Sequence, residues 1–141
     1  MLFVTLPFLL ALWEYNLINI VERMSVEKKN AYIGADLGGT NMRAGRIVGD
    51  RLVAQGSAPT PKDAADCEET LEALIEVIRS VWDESVVAIG IGVPSVVDRE
   101  KGIVYNVVNI PHWEEVHLKE ILEACFSAVS YTHLRAHETP E

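Results

Sequence analysis

The chain has 141 residues, 49% of them apolar, and carries 12 Lys and Arg against 21 Asp and Glu for a formal net charge of -9. That length and apolar fraction suit one globular domain with a real core. A nucleic-acid surface is excluded, because phosphate backbones are bound by clustered cations and the few here are scattered along an acidic chain with pI near 4.9. Cys67 and Cys125 stand far apart without metal-ligand spacing, which predicts two reduced structural thiols in a cytoplasmic protein.

The opening MLFVTLPFLLALW is apolar, but no Lys or Arg precedes it, Pro7 interrupts it, and Glu14 follows with no A-x-A pattern. It fails as a signal peptide. It is also shorter than the roughly 20 residues a membrane span needs, so no membrane partner is expected. Met24 opens a polar lead-in, SVEKKN, just ahead of the first strand pattern. Met1 to Arg23 is therefore expected to be untranslated sequence read as protein, ahead of a true start at Met24, with an anchor or an added helix as the alternative; residues 24–128 are expected to form the folded unit.

Ala31 to Ala35 has the pattern of a buried strand, and Met42 to Val48 that of a second strand, not a helix. The stretch between them, D-L-G-G-T-N, is then a strand-turn-strand loop. Gly38 and Gly39 lack a Cβ, so the turn can take positive φ and bring N–H groups to an anion. Asp36 can hold Mg²⁺ through water, and the Thr40 hydroxyl and the Arg43 cation can reach a phosphate. These are the parts phosphoryl transfer uses, since it is catalysed mainly by positioning and charge neutralisation. The alternative is a tight hairpin whose glycines only make the bend.

Gly49-Asp50 is a two-residue turn between Met42–Val48 and a third strand, Arg51 to Ser57. Asp66 can cap a helix whose Glu68 and Glu69 suit its positive end, and Leu71, Leu74, Ile75, Ile78 and Trp82 recur at helical spacing. That stripe is expected to pack on the sheet, not on a partner. Val86 to Gly92 returns as a parallel strand. Its Gly90 and Gly92 are no dinucleotide fingerprint, because the third glycine is missing and Pro94-Ser95 follows in place of a helix; no Gly-Lys-Ser/Thr occurs either. Asp98 either orients a ligand or sits solvated in a turn. Ile103 to Val108 is a strand candidate that delivers Asn109 to a loop, N-I-P-H-W, and Glu114 to Ala124 has helical spacing. An amide such as Asn109 offers a donor and an acceptor, as a diol requires, or else bonds its own turn. Trp113 is expected to be a packing anchor.

Three segments carry a family resemblance. DLGGTNMR is similar to the first phosphate motif of the sugar-kinase branch of the actin-like (ribonuclease-H-like) ATPases. GVPSVVD, Gly92 to Asp98, resembles the ROK segment G-x-P-G-x-V-D with Ser95 in place of its second glycine, and NIPHW resembles N-L-P-G-W with His112 in place of the glycine. The resemblance covers about Ala31 to Ala124. It implies an α/β fold, the N-terminal lobe of an actin-like ATPase with a five-stranded mixed sheet and helices, truncated before its second lobe. It further implies a hexose kinase of the glucokinase type using ATP and Mg²⁺: Asp36 places the metal, Gly38, Gly39, Thr40 and Arg43 hold phosphate, and Asn109, Ser95 and Asp98 line the sugar side. The hexose and the missing C-terminal lobe are the implied partners, and the parent is expected to be a homo-oligomer. A ROK repressor would carry a helix-turn-helix ahead of the phosphate strand, and the roughly 30 residues there are too few and too apolar for one. A non-catalytic sugar-binding module of the same fold is the remaining alternative.

Val129 to Thr139, VSYTHLRAHET, resembles the translation of a sequencing-library adaptor, at the point where the family supplies its next strand and the Asn-Asp that carries the catalytic base. Residues 129–141 are thus expected to be an artefactual tail without function or fixed structure, and no catalytic residue is assigned in this chain. His133 and His137 stand four apart like zinc ligands on a helix, with Glu138 beside them, but no second ligand source exists and no zinc site is expected.

Overall fold

The structure, a computed structural model, describes residues 29–126 and the backbone of 131–136. The N-terminal extension, His137 and Glu138 lie outside the described residues.

Three antiparallel strands come first: β1 (Ala31–Leu37), β2 (Asn41–Val48) and β3 (Arg51–Pro59). Strict alternation of burial along β1 puts Ile33, Ala35 and Leu37 on one face and Tyr32, Gly34 and Asp36 on the other. The Gly49-Asp50 turn is as expected: Val48 pairs with Arg51, and Gly49 takes φ 62°, a conformation costly for any residue with a Cβ. Helix α1 (Cys67–Val81) then crosses over to β4 (Val86–Val93), which pairs in parallel with β1.

α1 begins where Asp66 accepts a hydrogen bond from the Glu69 N–H at 3.0 Å, while the Glu69 carboxylate accepts one from the Ala65 N–H at 3.0 Å. The Glu69 N–H, an orphan donor of the first turn, is thereby satisfied, and the Glu69 carboxylate ties back the residue before the cap. Its Leu74, Val77, Ile78 and Val81 are buried. Each contributes roughly 1.5–3 kcal/mol of hydrophobic stabilisation. Trp82, at the end of α1, lies 5.9 Å from the Phe126 ring. The apolar stripe is therefore core, and close contact requires Gly56 in β3, where a Cβ would come within 2.5 Å of the Ser80 hydroxyl. Both cysteines are free. Burial first, and then the Asp66 and Glu68 carboxylates, push the Cys67 thiol up from its ordinary value.

Beyond β4 the chain departs from the sequence-based expectation. Ile103 to Val108 does not join the main sheet. Only Ile103–Tyr105 is a strand, β6, and it pairs with β5 (Val96–Asp98) and β7 (Glu115–Val116) in a separate three-stranded antiparallel sheet. Asn106 at φ 46° ends β6, because left-handed backbone cannot continue a ladder. Glu115–Val116 is spent on β7, so helix α2 runs only over Leu118–Cys125. The main sheet nonetheless has five strands, in the order β3-β2-β1-β4-β8. Its fifth is β8 (Tyr131–Ala136), parallel to β4 from Ala88↔Tyr131 to Val93↔Ala136. A segment expected to lack fixed structure thus fills the far edge of β4, whose free N–H and C=O groups accept any extended backbone.

Gly102 is buried at φ 67°, and a Cβ there would fall 2.1 Å from the Cβ of Lys119 in α2. Gly102→Ala is expected to cost at least about 2 kcal/mol in urea unfolding, from left-handed strain plus overpacking. A cost below about 0.5 kcal/mol would contradict this seating of α2 on the β5–β6 turn. His112 is also left-handed, at φ 66°. His112→Gly is expected to gain up to about 1 kcal/mol, the relieved strain less the entropy glycine adds to the unfolded chain; His112→Ala keeps the strain and should show no such gain.

Candidate active site

The exposed face of the main sheet is built in rows. Asp36 on β1 stands directly opposite Arg43 on β2, and Arg43 opposite Ser57 on β3. The next row is Gly34, Gly45 and Gln55. On the other flank of β1, Gly34 and Asp36 face Gly90 and Gly92 of β4. An acid and a cation therefore sit side by side on a floor made largely of glycine. A cleft of about 320 Å³ lies on it, lined by Gly34, Asp36, Arg43, Gly45, Leu52 and Gln55, and a larger, more enclosed one of about 620 Å³ adjoins it past Arg43 and Ser57. Nothing lies within 4 Å of a Cβ built on Gly34, so its missing side chain leaves room above the sheet.

At the end of the Asp36 row the chain turns through Gly38-Gly39-Thr40. The expectation of positive φ at the two glycines is not met, since neither is among the left-handed residues. Close approach requires them instead. A Cβ on Gly38 would stand 2.7 Å from the Asn41 carbonyl oxygen, and one on Gly39 would stand 3.1 Å from the Cβ of Asn109. The Gly38 N–H closes the turn by donating to the Asn41 carbonyl at 3.0 Å. The N–H groups of Gly39 and Thr40 take no part in that closure.

Asn109 reaches Gly39 from a distant part of the chain. Its loop carries three left-handed residues, Asn106, Asn109 and His112, and is held from both ends. The Val108 N–H donates to the Pro94 carbonyl at 3.4 Å, and the Ser95 hydroxyl donates to the Tyr105 carbonyl. Trp113, 1% exposed, anchors the loop in the core. The glycine-to-serine departure at Ser95 thus has a physical use, since the hydroxyl ties the G-V-P-S segment to the strand that feeds the Asn109 loop. The glycine-to-histidine departure at His112 keeps a backbone conformation suited to glycine. Asp98 is the last residue of β5, and its carboxylate accepts hydrogen bonds from the N–H groups of Glu100 and Lys101 in the turn to β6, each at 3.1 Å. So Asp36 stands opposite Arg43, the Gly38-Gly39-Thr40 turn follows on the same strand end, and Asn109 meets that turn at Gly39, while Ser95 and Asp98 spend polar groups on neighbouring backbone.

Among the described residues no three His, Cys, Asp or Glu side chains form a cluster that can hold a metal. The exposed Asp36 carboxylate at the cleft fits Mg²⁺ all the same, since that ion keeps most of its waters and is commonly held by one or two carboxylates plus substrate phosphates. No described helix is long and apolar enough to cross a membrane.

The ROK family profile matches residues 32–132. A glucokinase of Streptomyces coelicolor is 34% identical over 98 residues, covering 65% of this chain but only 28% of the glucokinase, so the chain spans under a third of its relative's length. A ROK hexokinase from Thermus thermophilus superimposes with TM-score 0.61 at 33% identity, over 75% of this chain and 35% of that one. A ROK glucokinase from Streptomyces griseus, in complex with glucose and AMPPNP, gives 0.64 at 25% identity over 76% and 33%. A ROK transcriptional regulator, at 14% identity and TM-score 0.63 over 77% and 28%, shares the fold alone. With a profile that runs from β1 into β8 and relatives whose sheets superimpose on this one, the chain belongs to the ROK family and has the α/β fold of its actin-like sugar kinases.

Proposed function

We propose that this chain is the phosphate- and sugar-contacting part of an ATP-dependent hexose kinase of the glucokinase type. The observation that carries the proposal is the packing of Asn109 against Gly39, which brings the sugar-side loop onto the phosphate-side turn next to Asp36 and Arg43. In the transfer, a sugar hydroxyl oxygen bonds to the γ-phosphorus, the β–γ bridging P–O bond breaks, and ADP leaves. The hydroxyl proton passes to a base that we assign to the continuation of the protein, beyond this chain. Asp36 would hold Mg²⁺ through water, Gly39 and Thr40 donate to phosphate oxygens, and Arg43 offsets the charge that develops on them. When bound, Mg²⁺ neutralises the β- and γ-phosphoryl oxygens. Asn109 fixes the sugar with its amide, and Ser95 and Asp98 hold the backbone that presents it.

Support comes from the glucokinase and hexokinase relatives and from the donor set itself. The chain alone is expected to show no sugar phosphorylation above background, because positioning between two lobes and a general base supply most of the rate.

Joined to its genomic continuation, the protein is expected to phosphorylate a hexose with ATP and Mg²⁺, with Asp36→Asn lowering kcat at least about 100-fold, the scale for losing one preorganised electrostatic contact. An unchanged kcat in a folded Asp36→Asn protein would make the acid a turn residue and end the assignment. In the same protein Asn109→Ala is expected to raise the KM for sugar and leave that for ATP within about twofold, since the amide touches one substrate. Sugar binding without turnover in the joined protein would point to a non-catalytic binder or a regulator.

A further inference from the structure

Thr60 is one of two buried polar residues among those described, 3% exposed, and it lies directly beneath the turn between β1 and β2. Both of its donors are spent on that turn. Its N–H donates to the Thr40 carbonyl at 2.9 Å, and its hydroxyl donates to the Gly38 carbonyl at 2.6 Å. Pro61 follows and biases Thr60 towards extended backbone, which keeps the N–H and the side chain available to opposite ends of the turn.

The consequence follows from the planar trans peptide, in which the C=O of one residue and the N–H of the next point opposite ways. Drawing the Gly38 carbonyl down onto the Thr60 hydroxyl turns the Gly39 N–H up, away from the core. The Thr60 N–H to Thr40 carbonyl bond continues the β2–β3 ladder one step past Asn41↔Pro59 and holds Thr60 in place beside the turn. An unanchored Gly-Gly turn would rotate freely at the Gly38–Gly39 peptide, because glycine has few barriers to doing so. We propose that Thr60 is a positioning residue that aims the Gly39 N–H at a phosphate oxygen of the nucleotide. The proposal rests on the phosphate-turn reading of the site and adds to it a buried residue outside the turn. A hydroxyl is required there. Valine has the shape of threonine but would leave the Gly38 carbonyl buried without a donor and its peptide free to rotate.

The test is an amide NMR titration of the 141-residue chain with Mg²⁺ and AMPPNP, with Thr60→Val and Thr60→Ser alongside the unaltered protein. The Gly39 amide is expected to move in the unaltered chain. Thr60→Val is expected to weaken binding at least about tenfold, as loss of one hydrogen bond to a charged group does, while Thr60→Ser, which keeps the hydroxyl, stays within about threefold. Equal affinity in a folded Thr60→Val chain overturns the positioning role and leaves the phosphate turn standing. Should Thr60→Val not fold, a titration of the unaltered chain that shifts other turn amides but not Gly39 overturns it equally. If the unaltered chain shows no shift at all around the turn, the phosphate reading falls and this proposal with it.

Discussion

Everything in the site depends on how tightly β1 and β2 are joined. The antiparallel pairing runs without a break from Ala31↔Val48 to Leu37↔Met42, and a turn of four residues must reverse the chain at its end. The Gly38 N–H to Asn41 carbonyl bond closes it, and the Asn41 oxygen then occupies the space a Cβ would need. That closure fixes Asp36 opposite Arg43, because antiparallel register once set at the turn determines every pair along the ladder. An acid and a cation at the mouth of a turn of glycines follow from backbone geometry before any ligand is considered.

A second constraint comes from far along the chain. The loop from Asn106 to His112 holds three non-glycine residues in left-handed conformations, each costing about 1 kcal/mol or more. Burial of Trp113 and Ile110, together with the Pro94 and Tyr105 hydrogen bonds, offsets that cost. Rigid support of this kind suits the sugar contact proposed for Asn109, because an amide that wanders cannot discriminate between hydroxyl positions. The contact of Asn109 with Gly39 joins the two halves of the site into one unit.

The first three strands, the Gly49-Asp50 turn, the cap at Asp66 and the core stripe of α1 were legible because each rests on local chemistry: period-two burial, left-handed glycine, a carboxylate at a helix start. The Asp36 turn stood out as a candidate site for the same reason. What stayed hidden depends on pairing at a distance. Ile103 to Val108 has the composition of a sheet strand, yet nothing in it shows that Asn106 turns left-handed or that Val96–Asp98 and Glu115–Val116 wait to pair with it. Positive φ at Gly38 and Gly39 was a sound inference from residue type, overridden by packing that no local pattern encodes. Thr60 gave only a weak signal, a hydroxyl before a proline, and the acceptor of that hydroxyl, the Gly38 carbonyl, lies 22 residues away. The edge occupied by Tyr131–Ala136 was beyond sequence patterning, since parallel pairing is decided by which edge of the sheet is open.

The central claim is that Asp36 and the Gly38-Gly39-Thr40 turn form one metal-nucleotide site. Replacing Mg²⁺ with paramagnetic Mn²⁺ in the presence of AMPPNP tests it directly, because broadening of amide signals falls off steeply with distance from the ion. The account predicts loss of signal centred on Asp36, Gly39 and Thr40, absent when Mn²⁺ is added to Asp36→Asn. Broadening centred on the β5–β6 turn at Asp98 to Lys101, or spread evenly over the acidic surface and unchanged by the nucleotide, would contradict it.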